Sequence, residues 1–139
     1  MGWGQHPALL VVDFSVGFTD SASPLGTDMP LEIAETVRVL EASRRGGIPI
    51  YFSTIRYDEE DTGDAGMWVA KIRALGSLRT ASSGVEIDPR LGRRKDEPVI
   101  VKKFASVFFG TGFVDQRLAA GVETLRFLHN FLGIIAKDD

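Results

Sequence analysis

Two residues of opposite charge stand where acid–base chemistry is feasible. Asp13 closes the apolar run Ala8-Leu-Leu-Val-Val, and Lys102 closes the shorter run Val99-Ile-Val. A continuous apolar run of this kind reads as a strand buried on both faces, as in a parallel sheet. Open parallel sheets gather their ligand sites beyond the carboxyl ends of the strands, where both residues fall. A carboxylate buried there is suited to accept a proton. An ammonium beside it would keep the carboxylate ionised and stabilise a neighbouring anionic nucleophile. Each residue also has a plainer reading. Asp13 serves equally well as a cap on the following turn, and Lys102-Lys103 reads more readily as a solvated pair, because lysines are mostly exposed.

The nucleophile that such a pair would serve is harder to find. The chain has no cysteine and only two histidines, His6 and His129. Ser15, Ser106 and Thr111 are hydroxyls of the right type, but none sits in a Gly-x-Ser-x-Gly elbow and neither histidine is placed as a triad member. An aspartyl phosphotransfer site of the Asp-x-Asp type lacks its second aspartate, since Phe14 and Ser15 follow Asp13. Thiolate and histidine-rich metal sites are excluded by composition, and Ser53-Thr-Ile-Arg-Tyr-Asp58 holds no Asp-x-His pair, so neither metal nor cofactor is expected. Gly110-Thr-Gly112 is too short to cradle a phosphate, and no Gly-x-Gly-x-x-Gly follows a strand. Phe104, Phe108, Phe109 and Phe113 read as core packing sooner than as a substrate wall.

The elements that must position Asp13 and Lys102 follow from periodicity. Pro30 opens a helix, with Ile33, Ala34, Val37 and Leu40 at helical spacing and Glu32, Glu35, Arg38 and Glu41 on the wet side. Arg44 and Arg45 suit the negative end of its dipole, and Gly46-Gly47 ends it. Ile48–Thr54 is a second strand with its proline near the start. Strand, helix and strand in this order predict a parallel pair with a right-handed crossover. Asp58–Gly66 reads as a loop, Met67–Leu75 as a short helix, Arg79–Glu97 as a charged, turn-rich stretch and Val99–Lys102 as a third strand. Phe113–Ala120 forms a helix and Glu123–Leu128 a fourth strand. Leu125, Leu128, Leu132 and Ile135 also share one helical face, so the last stretch fits either a helix or a strand with an apolar tail.

Composition bounds the function. With 139 residues, 44% apolar and 25% charged, the chain is one ordinary globular domain. A net charge of −3 argues against a nucleic-acid partner held by phosphate contacts. No apolar stretch is long enough for a membrane span. The run Ala8–Val12 is too short, and lacks the basic flank, for a signal sequence, so a cytoplasmic location is expected.

Several motifs occur in order: Gly2-Trp-Gly with Pro7-Ala-Leu-Leu-Val-Val-Asp13, Phe18-Thr19, Tyr57, Asp64-Ala-Gly-Met-Trp-Val-Ala-Lys71, Ile87-Asp-Pro-Arg-Leu91, Val99-Ile-Val-Lys102 through Thr111, and Leu118 through Leu125. Together they resemble the isochorismatase-like cysteine hydrolases, in the branch of N-carbamoylsarcosine amidase and maleamate amidase. The resemblance implies a three-layer α/β/α, Rossmann-like fold on a parallel sheet. It implies an Asp–Lys–Cys triad that cleaves the C–N bond of a small-molecule amide, often in a homo-oligomer. It maps the aspartate onto Asp13, the lysine onto Lys102 rather than Lys103, and a substrate contact onto Phe18. In the implied mechanism the aspartate takes the thiol proton, the lysine steadies the thiolate, and sulfur attacks the carbonyl while backbone N–H groups hold the oxyanion. This chain departs from the family after Thr124-Leu125. Where the family continues to its cysteine, residues 126–139 contain none. The expectation is a hydrolase domain over residues 1–125, a divergent apolar tail over 126–139, and a sheet incomplete at its C-terminal end. Such a chain would be inactive by itself. The alternative is a non-catalytic remnant that binds a partner or homologue.

Overall fold

β1 (Pro7–Val12) is buried along its whole length except for its first residue, as its unbroken apolar run requires. The computed structural model describes residues 5–58, 73–104 and 106–129. After β1 come a single-turn helix α1 (Val16–Thr19), the long helix α2 (Pro30–Arg45) and β2 (Ile50–Ile55). Three short 3-10 turns (Arg73–Ser77, Ser83–Val85 and Pro89–Leu91) lead into β3 (Val99–Lys102), and α3 (Phe113–Ala119) leads into β4 (Thr124–His129). The strands form one parallel sheet in the order β3-β2-β1-β4. The fold is therefore α/β, with the first strand central.

The pleat sends alternate residues of β1 to opposite faces. Leu9 and Val11 meet Ile33 and Leu40 of α2 with Ile50 and Phe52 of β2. Ala8, Leu10 and Val12 meet Tyr51, Ile100 and Phe113, the last from α3. Helices thus cover both faces and make three layers. β3, at one edge, alternates buried and half-buried residues.

Three sequence expectations need correction, and one open alternative is decided. The buried stripe of α2 is Ile33, Thr36, Leu40 and Ser43, while Ala34 is exposed. Ala34 lies one step, about 100°, round the helix from Ile33 and so falls off the stripe. β2 begins at Ile50 rather than Ile48, because Pro49 has no N–H for the ladder, although its carbonyl accepts from Leu9. Residues 124–129 are a strand, which ends the helical alternative for Leu125 and Leu128; pairing with β1 from Pro7↔Thr124 to Val12↔His129 outweighs their helical spacing. Of the aromatic cluster only Phe113 is core, since Phe108 and Phe109 are 43% and 63% exposed.

The tail beyond 129, the motifs at Gly2–Gly4 and Asp64–Lys71, and most of the loop and helix expected over 58–75 lie outside the described residues. Among the described residues β4 forms the other edge of the sheet. Phe127 on that strand is 53% exposed. A groove of about 810 Å³ runs beside it, between Val39, Ala42 and Ile48 on one side and Arg126 and Leu128 on the other.

Candidate active site

β1 ends at Val12, and Asp13 follows with φ of 62°, the one non-glycine residue at positive φ among those described. Aspartate tolerates this left-handed conformation better than most side chains, because its short polar group interacts locally. The turn lifts the chain off the sheet into α1. Across the sheet, Val12 pairs with Ser53 and Ile55 with Lys102, so β2 alone separates the two strand ends. The side chains converge over it. Lys102 Nζ lies 3.0 Å from Asp13 Oδ1 and donates to Oδ2 at 3.2 Å.

Both groups are withdrawn from water, with Asp13 2% and Lys102 0% exposed. The solvated reading of Lys102 is therefore wrong. A lysine is buried when a carboxylate waits for it, and this one comes from a position 89 residues away in the chain. Lys103 is the more solvated of the two, with its ammonium 3.6 Å from Asp58.

Backbone bonds sew the turn after Asp13 to the segment 86–88. The Val16 N–H donates to the Glu86 carbonyl at 2.8 Å and the Asp88 N–H to the Phe14 carbonyl at 2.9 Å. The Asp88 carboxylate accepts from the Thr19 hydroxyl at 2.5 Å and from Arg90 Nη2 at 2.7 Å. Burial pushes the Asp88 carboxyl up, but the Arg90 guanidinium and the Thr19 hydroxyl outweigh it and hold the group below the usual carboxylate range. A second clasp joins the end of α2 to the approach to β3. Arg44 donates to Glu97 at 2.8 and 2.6 Å, and this outweighs burial to keep Glu97 below its ordinary range. Sequence reasoning singled out none of Asp88, Glu97 or Arg44 as a partner in these contacts. The only advance signal was the Asp88-Pro-Arg pattern, which suits a helical N-cap, and Asp88 does accept from the Arg90 N–H.

Phe18, expected beside the substrate, is 1% exposed and packs against Ile55, Tyr57, Leu78 and Val85. Its ring contributes core packing under α1 and presents almost no surface to a ligand. Two of the three hydroxyls considered as nucleophiles are taken up locally. Ser106 Oγ accepts from the Phe108 N–H, and the Thr111 hydroxyl donates to the Val107 carbonyl, so both serve their own loop. Ser15 and Ser53 are fully buried, and neither hydroxyl has a hydrogen-bond partner among the described residues. His6 is solvated beside Glu123, at 3.3 Å. Among the described residues no cluster of His, Asp or Glu could hold a metal, and no helix is long and apolar enough to cross a membrane.

The isochorismatase domain profile matches residues 7–128, a span that includes both Asp13 and Lys102. The chain belongs to the isochorismatase family. Within it, the chain is 28% identical over 126 residues to a maleamate amidohydrolase of Pseudomonas putida, covering 90% of this chain and 59% of that protein. It is 33% identical over 116 residues to an N-carbamoylsarcosine amidase of Arthrobacter sp, covering 80% of this chain and 44% of that one. The chain thus spans about half the length of the curated relatives it matches. The crystal structure of a cysteine hydrolase from Pseudomonas syringae pv. phaseolicola superimposes with a TM-score of 0.81 at 20% identity, over 90% of this chain and 59% of that one, and so shares its fold.

Proposed function

We propose that this chain carries the acid–base half of an isochorismatase-family site that cleaves the C–N bond of a small amide or carbamoyl compound. Asp13 accepts the proton of the nucleophile, and Lys102 steadies the anion that forms. The observation that supports this reading is the buried contact of Asp13 with Lys102 at the carboxyl edge of the sheet. A buried ion pair adds little stability over apolar side chains of the same shape, so stability alone does not account for one at this edge. The substrate class comes from the relatives named for maleamate and N-carbamoylsarcosine.

The proton balance is simple. The thiol implied by the resemblance gives its proton to the Asp13 carboxylate, and the thiolate adds to the carbonyl carbon. As the C–N bond breaks, Asp13 returns the proton to the departing nitrogen. Water then releases the acyl group and restores the thiol. None of the 139 residues is a cysteine, so these residues by themselves do not complete the cycle.

A second reading, a non-catalytic binder of a partner or homologue, draws on the same missing thiol and on the exposed Phe127 at the β4 edge. Ammonia release from maleamate and N-carbamoylsarcosine separates the two. The 139-residue chain should release none. Joined to the part of the maleamate amidohydrolase that it does not span, it should turn over. Asp13→Asn or Lys102→Met in the joined protein should then cost about a thousandfold or more in kcat. A folded joined protein that is inactive favours the second reading. One that stays active with both substitutions refutes the roles given to Asp13 and Lys102.

A further inference from the structure

We infer that Tyr57 is a positioning residue for Lys102: its phenol fastens the peptide that leaves the lysine and so keeps the ammonium seated on Asp13. This rests on reading Asp13 and Lys102 as the working pair. β2 ends at Ile55, yet its hold on β3 continues for two residues. The Arg56 N–H donates to the Lys102 carbonyl at 3.2 Å, and the Tyr57 hydroxyl donates to the Lys103 carbonyl at 3.0 Å. The phenol thus stands in for a ladder donor past the end of the strand, and two successive carbonyls after the lysine side chain are fixed.

Tyr57 can bear on this point because it is itself held. Its N–H donates to the Leu78 carbonyl at 2.9 Å, and its carbonyl accepts from the Thr80 N–H at 2.9 Å and from the Thr80 hydroxyl at 3.2 Å. The ring is 2% exposed among Phe18, Ile55, Leu75, Leu78 and Val85. Burial pushes the phenol pKa up, so the donor keeps its proton throughout the neutral range. The need for such a fastener is physical. β3 is an edge strand among the described residues, only Val99–Lys102 long, and Lys102 is its last residue. A long, flexible side chain starting from a fraying strand end would lose its place on a carboxylate, and misplacement by about 1 Å is enough to impair catalytic geometry. The Tyr57 ring also shares a cluster with Phe18, five residues past Asp13, so one side chain steadies the chain beyond both strand ends.

The test uses the full chain labelled with 15N-lysine, with the Lys102 ammonium followed by NMR. In Tyr57→Phe the ring stays and one hydrogen bond goes. Proton exchange at the Lys102 ammonium should quicken roughly fivefold, the value of one net hydrogen bond, and its resonance should shift. Leu78→Val, a change of packing in the same cluster, should leave that resonance in place even if it lowers the melting temperature. If Tyr57→Phe does not fold, Thr80→Val, which loosens the anchorage of Tyr57 without touching its ring, should move the resonance in the same direction by less. A Lys102 signal unaltered by Tyr57→Phe, or moved equally by Leu78→Val, overturns the inference. Asp13→Asn serves as the reference. If it leaves the Lys102 signal unmoved, the pair itself is misread; if it moves the signal and Tyr57→Phe does not, only the role of Tyr57 falls.

Discussion

Replacing Asp13 by asparagine removes the carboxylate beside an ammonium that is 0% exposed. Asparagine keeps the shape of the side chain and accepts the φ of 62°, so the backbone does not confound the measurement. Removing one member of a buried pair costs about 3–5 kcal/mol. Lys102→Met keeps most of the side-chain stem and takes the ammonium away from the buried carboxylate, at a cost in the same range. A domain of this size holds about 5–15 kcal/mol in all, so either single change removes a large share of its stability. The double variant removes both charges of the pair. Its cost should fall short of the sum of the two single costs by about 0.5–3 kcal/mol, the coupling expected of residues in direct contact. Urea unfolding followed by circular dichroism, extrapolated linearly with a common slope, gives the four free energies. Costs that add within about 0.5 kcal/mol would show that the two charges do not act on each other, and the case for a buried working pair would collapse.

Acid should unfold the protein partly through Glu97 and Asp88. Both titrate lower when folded than unfolded, so the stability they supply is complete above the ordinary carboxylate range, about pH 4, and is lost as pH falls through their lower folded values. Glu97→Gln should reduce stability at neutral pH and flatten its decline in acid, as read by circular dichroism against pH; an unchanged profile would count against the Arg44 clasp. Gly17→Ala should cost about 1–3 kcal/mol in thermal melting, because a Cβ there would stand 2.5 Å from Leu78 Cδ2 and 2.9 Å from the Gly84 carbonyl oxygen. Phe127→Lys should leave stability within about 0.5 kcal/mol while reducing self-association in sedimentation, and equal association would mean that the β4 edge recruits nothing.

What the sequence disclosed was the direction of the argument more than its partners. The apolar runs ending in Asp13 and Lys102 carried their own strand signal and, with it, the edge where a site would lie. That the two charges touch was not legible from either run, since it depends on β2 lying between β1 and β3. Composition favoured a solvated Lys102 because isolated lysines seldom pay the desolvation cost; the compensating charge came from another strand. Glu97 looked like an ordinary acid in a turn-rich stretch for the same reason, as Arg44 reaches it from 53 residues away; Asp88 has its cation two residues along the chain, and only its Thr19 partner depends on the tertiary fold. Ala34 failed differently, since neighbouring apolar residues on a helix compete for one stripe and a single sequence does not choose between them. Phe18 was placed by resemblance, which transfers a position more safely than it transfers exposure.

The central place of β1 has a consequence for synthesis. Asp13 is synthesised 89 residues before its cation. At about 5–20 residues per second, that interval lasts about 4–18 s. In the later part of it, once Ile55 has been made, β1 and β2 are available to pair, while the carboxylate at their shared edge still lacks the Lys102 ammonium and must stay hydrated or take up a proton. An ionised Asp13 therefore keeps that edge of the nascent sheet open to water. The apolar core can begin at the other end, from Ala8, Leu9 and Leu10 upward, and a dry edge around a charged Asp13 waits for β3.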